Sequence, residues 1–174
     1  AIVEALLSEG CSVAMNGRSP EKGATTAAEI NVGDRLTFLD GDVTDKAVCY
    51  GLVDRTIARY GRIDVVVNNA GGSVGSSVLW EMDDAAWDFT INWNLNHAMW
   101  TTKRAIPDML KRGWGRIINI GGSDGYNGKP RRAHGVSTKM GLVGLTRALA
   151  NETALYGITV NIVVPGTIDT QRPH

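Results

Sequence analysis

A chain of 174 residues and 18.7 kDa can build one domain with a substantial core and is short for two. Eighteen Lys plus Arg balance eighteen Asp plus Glu, which argues against nucleic acid as a partner, because phosphate-binding surfaces carry a basic excess. A hydrophobic content of 43% excludes general disorder, and no apolar run approaches the roughly 20 residues that cross a bilayer, so no membrane partner is expected.

Residues 1–9 read as a helix already in progress, stopped by Gly10, and the polar close at 170–174 carries no capped element. Both ends suggest an internal fragment. A short strand is expected over 11–16. Ser19 followed by Pro20 is an N-cap with proline at the first helical position, so a helix should run over 20–30. A strand at 35–40 and a helix from Thr44-Asp45 to about Tyr60 follow. Residues 63–68 form a β-branched run of the kind buried on both faces of a sheet. A glycine-rich loop (69–77) leads into a long helical stretch over about 83–111. The remainder reads as strand 115–120, loop 121–132, helix 138–156 and strand 158–164. Strands alternate with helices throughout, the pattern of a doubly wound α/β domain with a parallel sheet, one partial domain over 1–174. Cys11 and Cys49 show neither metal-ligand spacing nor a disulfide framework, so no metal site is expected and a reducing, cytoplasmic compartment is.

Ligands of such sheets bind beyond the carboxyl ends of the strands, so the loops that follow strands are the candidate sites. Asp42-Val43 follows one strand, and Asn68-Asn69-Ala70-Gly71 another. Pro165-Gly166-Thr167-Ile168-Asp169-Thr170 follows the last strand, and Asn94 lies in the long helix. Taken in register, these residues resemble the short-chain dehydrogenase/reductase family over the whole chain. The resemblance implies a Rossmann-like fold, a nicotinamide cofactor, and hydride transfer between that cofactor and a carbonyl or alcohol substrate. It implies that Asp42 and Val43 hold the adenine, that Asn69, Ala70 and Gly71 line the groove, and that Pro165, Gly166, Ile168 and Thr170 lie beside the nicotinamide. Asn94 would anchor a water in the proton relay. Pairing of subunits through the two long helices is also implied, and Gly141, Gly144 and Ala148 share a helical face that would admit close approach.

The sequence departs from the family in three places. The first strand and its glycine-rich phosphate loop would precede Ala1, and the order 3-2-1-4-5-6 puts that strand between two that are present. Its loss forfeits on the order of 10 kcal/mol at about 1.5–3 kcal/mol per buried side chain. That rivals the roughly 5–15 kcal/mol stability of a whole domain, so cooperative folding of these residues alone is not expected. Second, the end of the second family strand reads Asn16-Gly17-Arg18, with no carboxylate for the ribose hydroxyls. A guanidinium can fork onto a 2′-phosphate, which points to NADP(H) over NAD(H), although Arg18 also fits as a solvated loop residue. Third, the family uses a Tyr-x-x-x-Lys pair and a preceding Ser. Lys139 occupies the lysine position, where it would hold the nicotinamide ribose, but the tyrosine position is Gly135 and the serine position is Gly122.

His134 and Ser123 are the candidate substitutes. His134 is five residues from Lys139, about 140° around a helix, so it serves only if the helix starts after it. Ser123 serves only if its loop shifts register. Tyr126 cannot be placed, and Arg131-Arg132 reads as an anion contact or as a solvated pair. Trp80, Trp87, Trp93 and Trp100 recur at seven, six and seven residues, as core or interface. Two readings stand: an oxidoreductase with an unconventional proton donor, and a cofactor-binding pseudoenzyme with a structural or sensing role.

Overall fold

The structure, a computed structural model, describes residues 1–72, 74–166 and 168. In chain order the elements are α1 (Ile2–Ser8), β1 (Val13–Gly17), α2 (Pro20–Ile30), β2 (Leu36–Asp40), α3 (Lys46–Tyr60), β3 (Val65–Asn68) and α4 (Asp84–Ile91). A π-helical turn (Asn92–Asn96), α5 (His97–Arg112), β4 (Gly115–Ile120), α6 (Asp124–Asn127), α7 (Ala133–Thr153) and β5 (Ile158–Val163) complete it. The Ser19 hydroxyl caps α2, accepting from the Lys22 amide at 3.3 Å, and Asp45 caps α3, accepting from the Ala47 amide at 2.7 Å.

All pairing is parallel. β1 runs beside β2, with Val13 opposite Leu36 and Gly17 opposite Asp40. In a second sheet β4 lies between β3 and β5. The doubly wound α/β reading holds, and the sheet is interrupted where the family order puts its first strand. Among the described residues β1 and β3 each keep an edge with no strand partner. The core cluster belongs to the three-stranded part: Val66, Ile117, Ile158 and Val160 pack with Val53, Ile63, Ala105 and Met109. The β-branched run and the helical apolar positions thus meet in one layer.

Three expectations need correction. The last long helix begins at Ala133, because residues 133–137 are helical and continuous with the rest. The loop before it contains the short helix α6. The tryptophans do not form one stripe: Trp80 sits on a 3₁₀ turn (Leu79–Glu81) ahead of the helix and is 83% exposed. The long helix itself is as expected in extent, but its backbone widens to a π turn at Asn94, a feature frequent at functional sites.

Buried amides tie the sheet to its helices. The Asn68 amide donates to Asn119 Oδ1 at 2.8 Å and to the Thr102 hydroxyl at 3.2 Å, and Thr101 donates back to Asn68 Oδ1 at 2.7 Å. Asn119 in turn donates to the Thr146 hydroxyl of α7 at 2.9 Å. β3, β4, α5 and α7 therefore share one satisfied polar network.

The β1–β2 pair has no ladder to the three-stranded sheet, so it should open first. Native-state hydrogen exchange of residues 1–174 is expected to show β1 and β2 amides exchanging at least tenfold faster than those of β4. Calorimetry should give an unfolding enthalpy above the van't Hoff value. Uniform protection with one sharp two-state transition would contradict this.

Candidate active site

Because every strand runs the same way, the loops that follow them gather along one edge. A cleft of about 280 Å³ opens there. Asn16, Gly17 and Arg18 come to it from the end of β1, and Gly41, Asp42 and Val43 from the end of β2. Asn69, Ala70 and Gly71 come from the end of β3, and Trp93 from the π turn. Six residues singled out in the sequence, Arg18, Asp42, Val43, Asn69, Ala70 and Gly71, share this one space. Asn16 and Trp93 had no local signal; they are recognisable only once β1 and the π turn are side by side.

Arg18 Nη1 lies 4.0 Å from Asp42 Oδ2, and its guanidinium sits 5.6 Å over the Trp93 ring. Both partners of this ion pair are substantially exposed, so solvent screens it and the guanidinium stays available to an anion. Asp42 Oδ1 accepts from the Thr44 amide at 3.0 Å and the Thr44 hydroxyl at 2.9 Å, which fixes the turn beneath it. Asn16 donates its amide to the carbonyls of Leu39 and Gly41, closing the ends of β1 and β2 with a neutral group at the β1 end.

Lys139 approaches this edge from α7. Its Nζ donates to the Ile120 carbonyl at 3.1 Å, and burial pulls its pKa below the ordinary lysine value. A Cβ added to Gly71 would lie 2.7 Å from Asn94 Oδ1 and 3.5 Å from Lys139 Nζ, so only glycine allows the turn to touch both. Asn94 is buried, and both its oxygen and its amide nitrogen are hydrogen-bonded. Its Oδ1 accepts from the Gly72 amide at 3.0 Å, and its Nδ2 donates to the Gly72 carbonyl at 2.7 Å and the Thr90 carbonyl at 2.9 Å. The Asn94 side chain therefore clamps the loop.

The two candidate substitutes do not meet their conditions. His134 lies inside α7, buried, with Nε2 2.9 Å from the Val74 carbonyl, so it belongs to the 74–78 loop and not to the Lys139 face. Ser123 is the N-cap position of α6, and it is Gly122 whose missing Cβ points at the Lys139 stem, 3.7 Å from Cε. Tyr126 is 54% exposed on α6. Arg131 and Arg132 donate to the carbonyls of Ser76 and Gly75, pinning one loop to the other. Pro165, Gly166 and Ile168 follow β5 on the same carboxyl edge but do not line the Arg18–Trp93 cleft, and Thr170 lies outside the described residues.

His97, three residues after Asn94, carried no sequence signal. It is buried, and among the described residues neither ring nitrogen has a partner at ordinary hydrogen-bond geometry, the Trp93 backbone being the polar group that bears on the ring. Burial first, and the neighbouring Lys139 charge second, lower its pKa to about 4.

The sequence profile of the short chain dehydrogenase family matches residues 1–173. The chain belongs to that family. Nodulation protein G of Azospirillum brasilense is 37% identical over 172 residues, covering 98% of this chain and 70% of its own length. A 3-oxoacyl-[acyl-carrier-protein] reductase of Haemophilus influenzae is 39% identical over 170 residues, covering 98% and 69%. Subunit BbsD of (2S)-[(R)-hydroxy(phenyl)methyl]succinyl-CoA dehydrogenase of Thauera aromatica is 39% identical over 163 residues, covering 93% and 65%. Among solved structures, a short-chain dehydrogenase of Streptomyces avermitilis and ElxO with NADP bound each superpose with a TM-score of 0.90 at 30% and 31% identity. Each covers 98% of this chain, against 62% and 69% of their own lengths. The chain thus has the Rossmann-type nucleotide-binding fold of the short-chain dehydrogenases. No helix among the described residues is long and apolar enough to cross a membrane.

Two outcomes are expected of this short-chain dehydrogenase site. Asn94→Leu strands the Gly72 backbone groups, which should cost about 1–3 kcal/mol in urea unfolding and weaken dinucleotide binding at least tenfold. His97 binds a proton more readily unfolded than folded. Its contribution is therefore complete above pH 6.5 and is lost as pH falls toward about 4, amounting to about 3 kcal/mol. His97→Phe should flatten that part of the stability profile; an unchanged acid slope would contradict the assignment.

Proposed function

We propose that the protein is an oxidoreductase that binds a nicotinamide dinucleotide along this edge, NADP(H) in preference to NAD(H). It transfers hydride between that cofactor and a small carbonyl or alcohol substrate. The observation that carries the reading is the convergence of Arg18, Asp42, Val43, Asn69, Ala70 and Gly71 on one cleft, with a guanidinium in place of a carboxylate at the end of β1. The cleft chemistry fits the group. Arg18 would take the 2′-phosphate, Asp42 and Val43 the adenine, Gly71 lets the backbone approach closely, and Lys139 reaches the ribose end. When bound, the dinucleotide supplies or accepts the hydride. NADP in ElxO, a structural neighbour, supports the same choice.

The second reading, a cofactor-binding protein without turnover, is favoured by Gly122 and Gly135 at the positions where the family carries its serine and tyrosine. In either case a homo-oligomer pairing through α5 and α7 is supported by a groove of about 290 Å³ between them, lined by Met99, Ile106, Pro107, Leu145 and Leu149. Gly144 and Ala148 are exposed on α7, whereas Gly141 is already packed, its missing Cβ 2.9 Å from the Leu95 side chain.

Fluorescence titration of the full-length gene product is expected to show NADPH bound at least tenfold more tightly than NADH. Arg18→Ala should weaken NADPH by about 10–100-fold, the worth of charge-assisted hydrogen bonds at about 1.5–3 kcal/mol, and leave NADH unchanged. Equal affinities in the native protein would overturn the cofactor preference. NADPH oxidation on a panel of ketones and quinones separates the enzyme from the binding protein.

A further inference from the structure

We propose that Lys139 is itself the proton donor of this site, its ammonium handing a proton directly to the substrate oxygen on the side where Gly122 and Gly135 carry no side chain. The inference rests on the oxidoreductase reading above and concerns the step that reading leaves without an acid. A general acid must reach the reacting oxygen and titrate within range of the working pH.

The competing groups fail on geometry. His134 is buried against the Val74 carbonyl and the Asn94 amide is committed to Gly72 and Thr90, while Ser123 begins α6 one residue past Gly122, whose missing Cβ is the one that meets the Lys139 stem. His97 is buried and neutral. Lys139 meets the requirements. Its Nζ engages one described acceptor, Ile120 O at 3.1 Å, leaving two N–H groups for other partners. It lies 3.5 Å from the point where a Gly71 side chain would begin, hence against the turn that lines the cleft. Gly135 is one helical turn earlier on the same face, and the nearest atom to an added Gly122 Cβ is the Lys139 stem at 3.7 Å. In the family arrangement these two positions carry the groups that stand between lysine and substrate; here neither has a side chain.

The surroundings favour release of the proton. Burial lowers the Lys139 pKa, and no neighbouring charge contributes to that shift. Of the titratable groups on the elements packed around it, His97 on α5 is the one coupled to it; α6 carries Asp124 and Tyr126, α4 carries Asp84 and Asp88, and α7 itself carries His134, Arg147 and Glu152. Asp124 is turned to Lys129 at 3.7 Å. In the reduction, the hydride pair of the reduced nicotinamide forms the new C–H bond and the carbonyl π pair moves to oxygen. That oxygen takes a proton from Nζ; the products are the alcohol, the oxidised nicotinamide and a neutral amine, which regains its proton from water.

The test uses the full-length gene product with NADPH and a carbonyl it reduces. Turnover should fall as pH rises through the lowered Lys139 pKa. Lys139→Arg keeps a cation with donors toward the ribose but does not release a proton near neutrality. It should lower kcat by at least ~100-fold while NADPH affinity changes only a few-fold. Adding Gly135→Tyr to Lys139→Arg supplies a phenol and should recover at least tenfold. Independently of activity, labelling of Lys139 by an amine reagent, followed by mass spectrometry across pH, should show a midpoint below the ordinary lysine value of ~10.4. An ordinary midpoint overturns the proposal even if Lys139→Arg does not fold, and so does a kcat for Lys139→Arg within threefold of the native protein. NADPH binding with no reduction of any carbonyl overturns the oxidoreductase reading and this proposal together. Reduction with no loss of rate toward alkaline pH overturns this proposal alone.

Discussion

The reciprocal hydrogen bonds between the Asn94 side chain and the backbone of Gly72 hold the site together. An amide side chain presents an N–H donor and a carbonyl acceptor side by side in one plane, so it can complete a peptide group much as a neighbouring strand would. That pairing pins the turn after β3 to the π turn between α4 and α5, 22 residues away in sequence. The turn in turn lies against Lys139, and the absence of a side chain at Gly71 sets how closely. Cofactor edge, long helix and lysine are therefore one mechanical unit with a single buried fastener.

Beneath that unit the interior is unusually polar. Asn68, Asn119, Thr101, Thr102 and Thr146 satisfy one another where β3 and β4 meet α5 and α7. Such a network is stabilising only when complete, and its completeness fixes the register of the strands whose ends carry the site. His97 stands apart because, among the described residues, its ring nitrogens find no partner at ordinary hydrogen-bond geometry. It remains buried by staying neutral, and that neutrality leaves Lys139 without a second cation beside it.

Cofactor recognition and chemistry are separable in this chain. The residues proposed to hold a dinucleotide follow the short-chain dehydrogenase pattern, while the two positions proposed to touch a carbonyl carry hydrogen in place of side chains. Binding free energy at one end of the cleft does not depend on proton transfer at the other, so the first can persist whatever has become of the second. The interruption of the sheet between β1 and β3 is a further separation. The Arg18 end and the Lys139 end of the edge rest on different sheets, joined through helix packing and Trp93 instead of a continuous backbone ladder.

Local chemistry was sufficient to read the alternation of strands and helices, the Ser19 and Asp45 caps, and the loops at 42–43 and 69–71. Each depends on residues within a few positions of one another. The glycines at 122 and 135 were equally plain, because their meaning is their distance from Lys139 along the chain. The start of α7 was not readable: Arg132 provides no side-chain cap, and the first turn is held by contacts between the 129–132 and 75–77 loops. His97 and Trp93 were invisible for the same reason, since burial and a shared cleft are properties of approach between distant segments. Sequence by itself determined which elements form and which chemistry each loop carries, because short-range sterics and hydrogen bonding decide those. Only the tertiary structure decided that Asn94 is a clamp, that His134 belongs to another loop, and that Lys139 lies against the Gly71 turn, because each depends on how distant segments approach after the chain has packed.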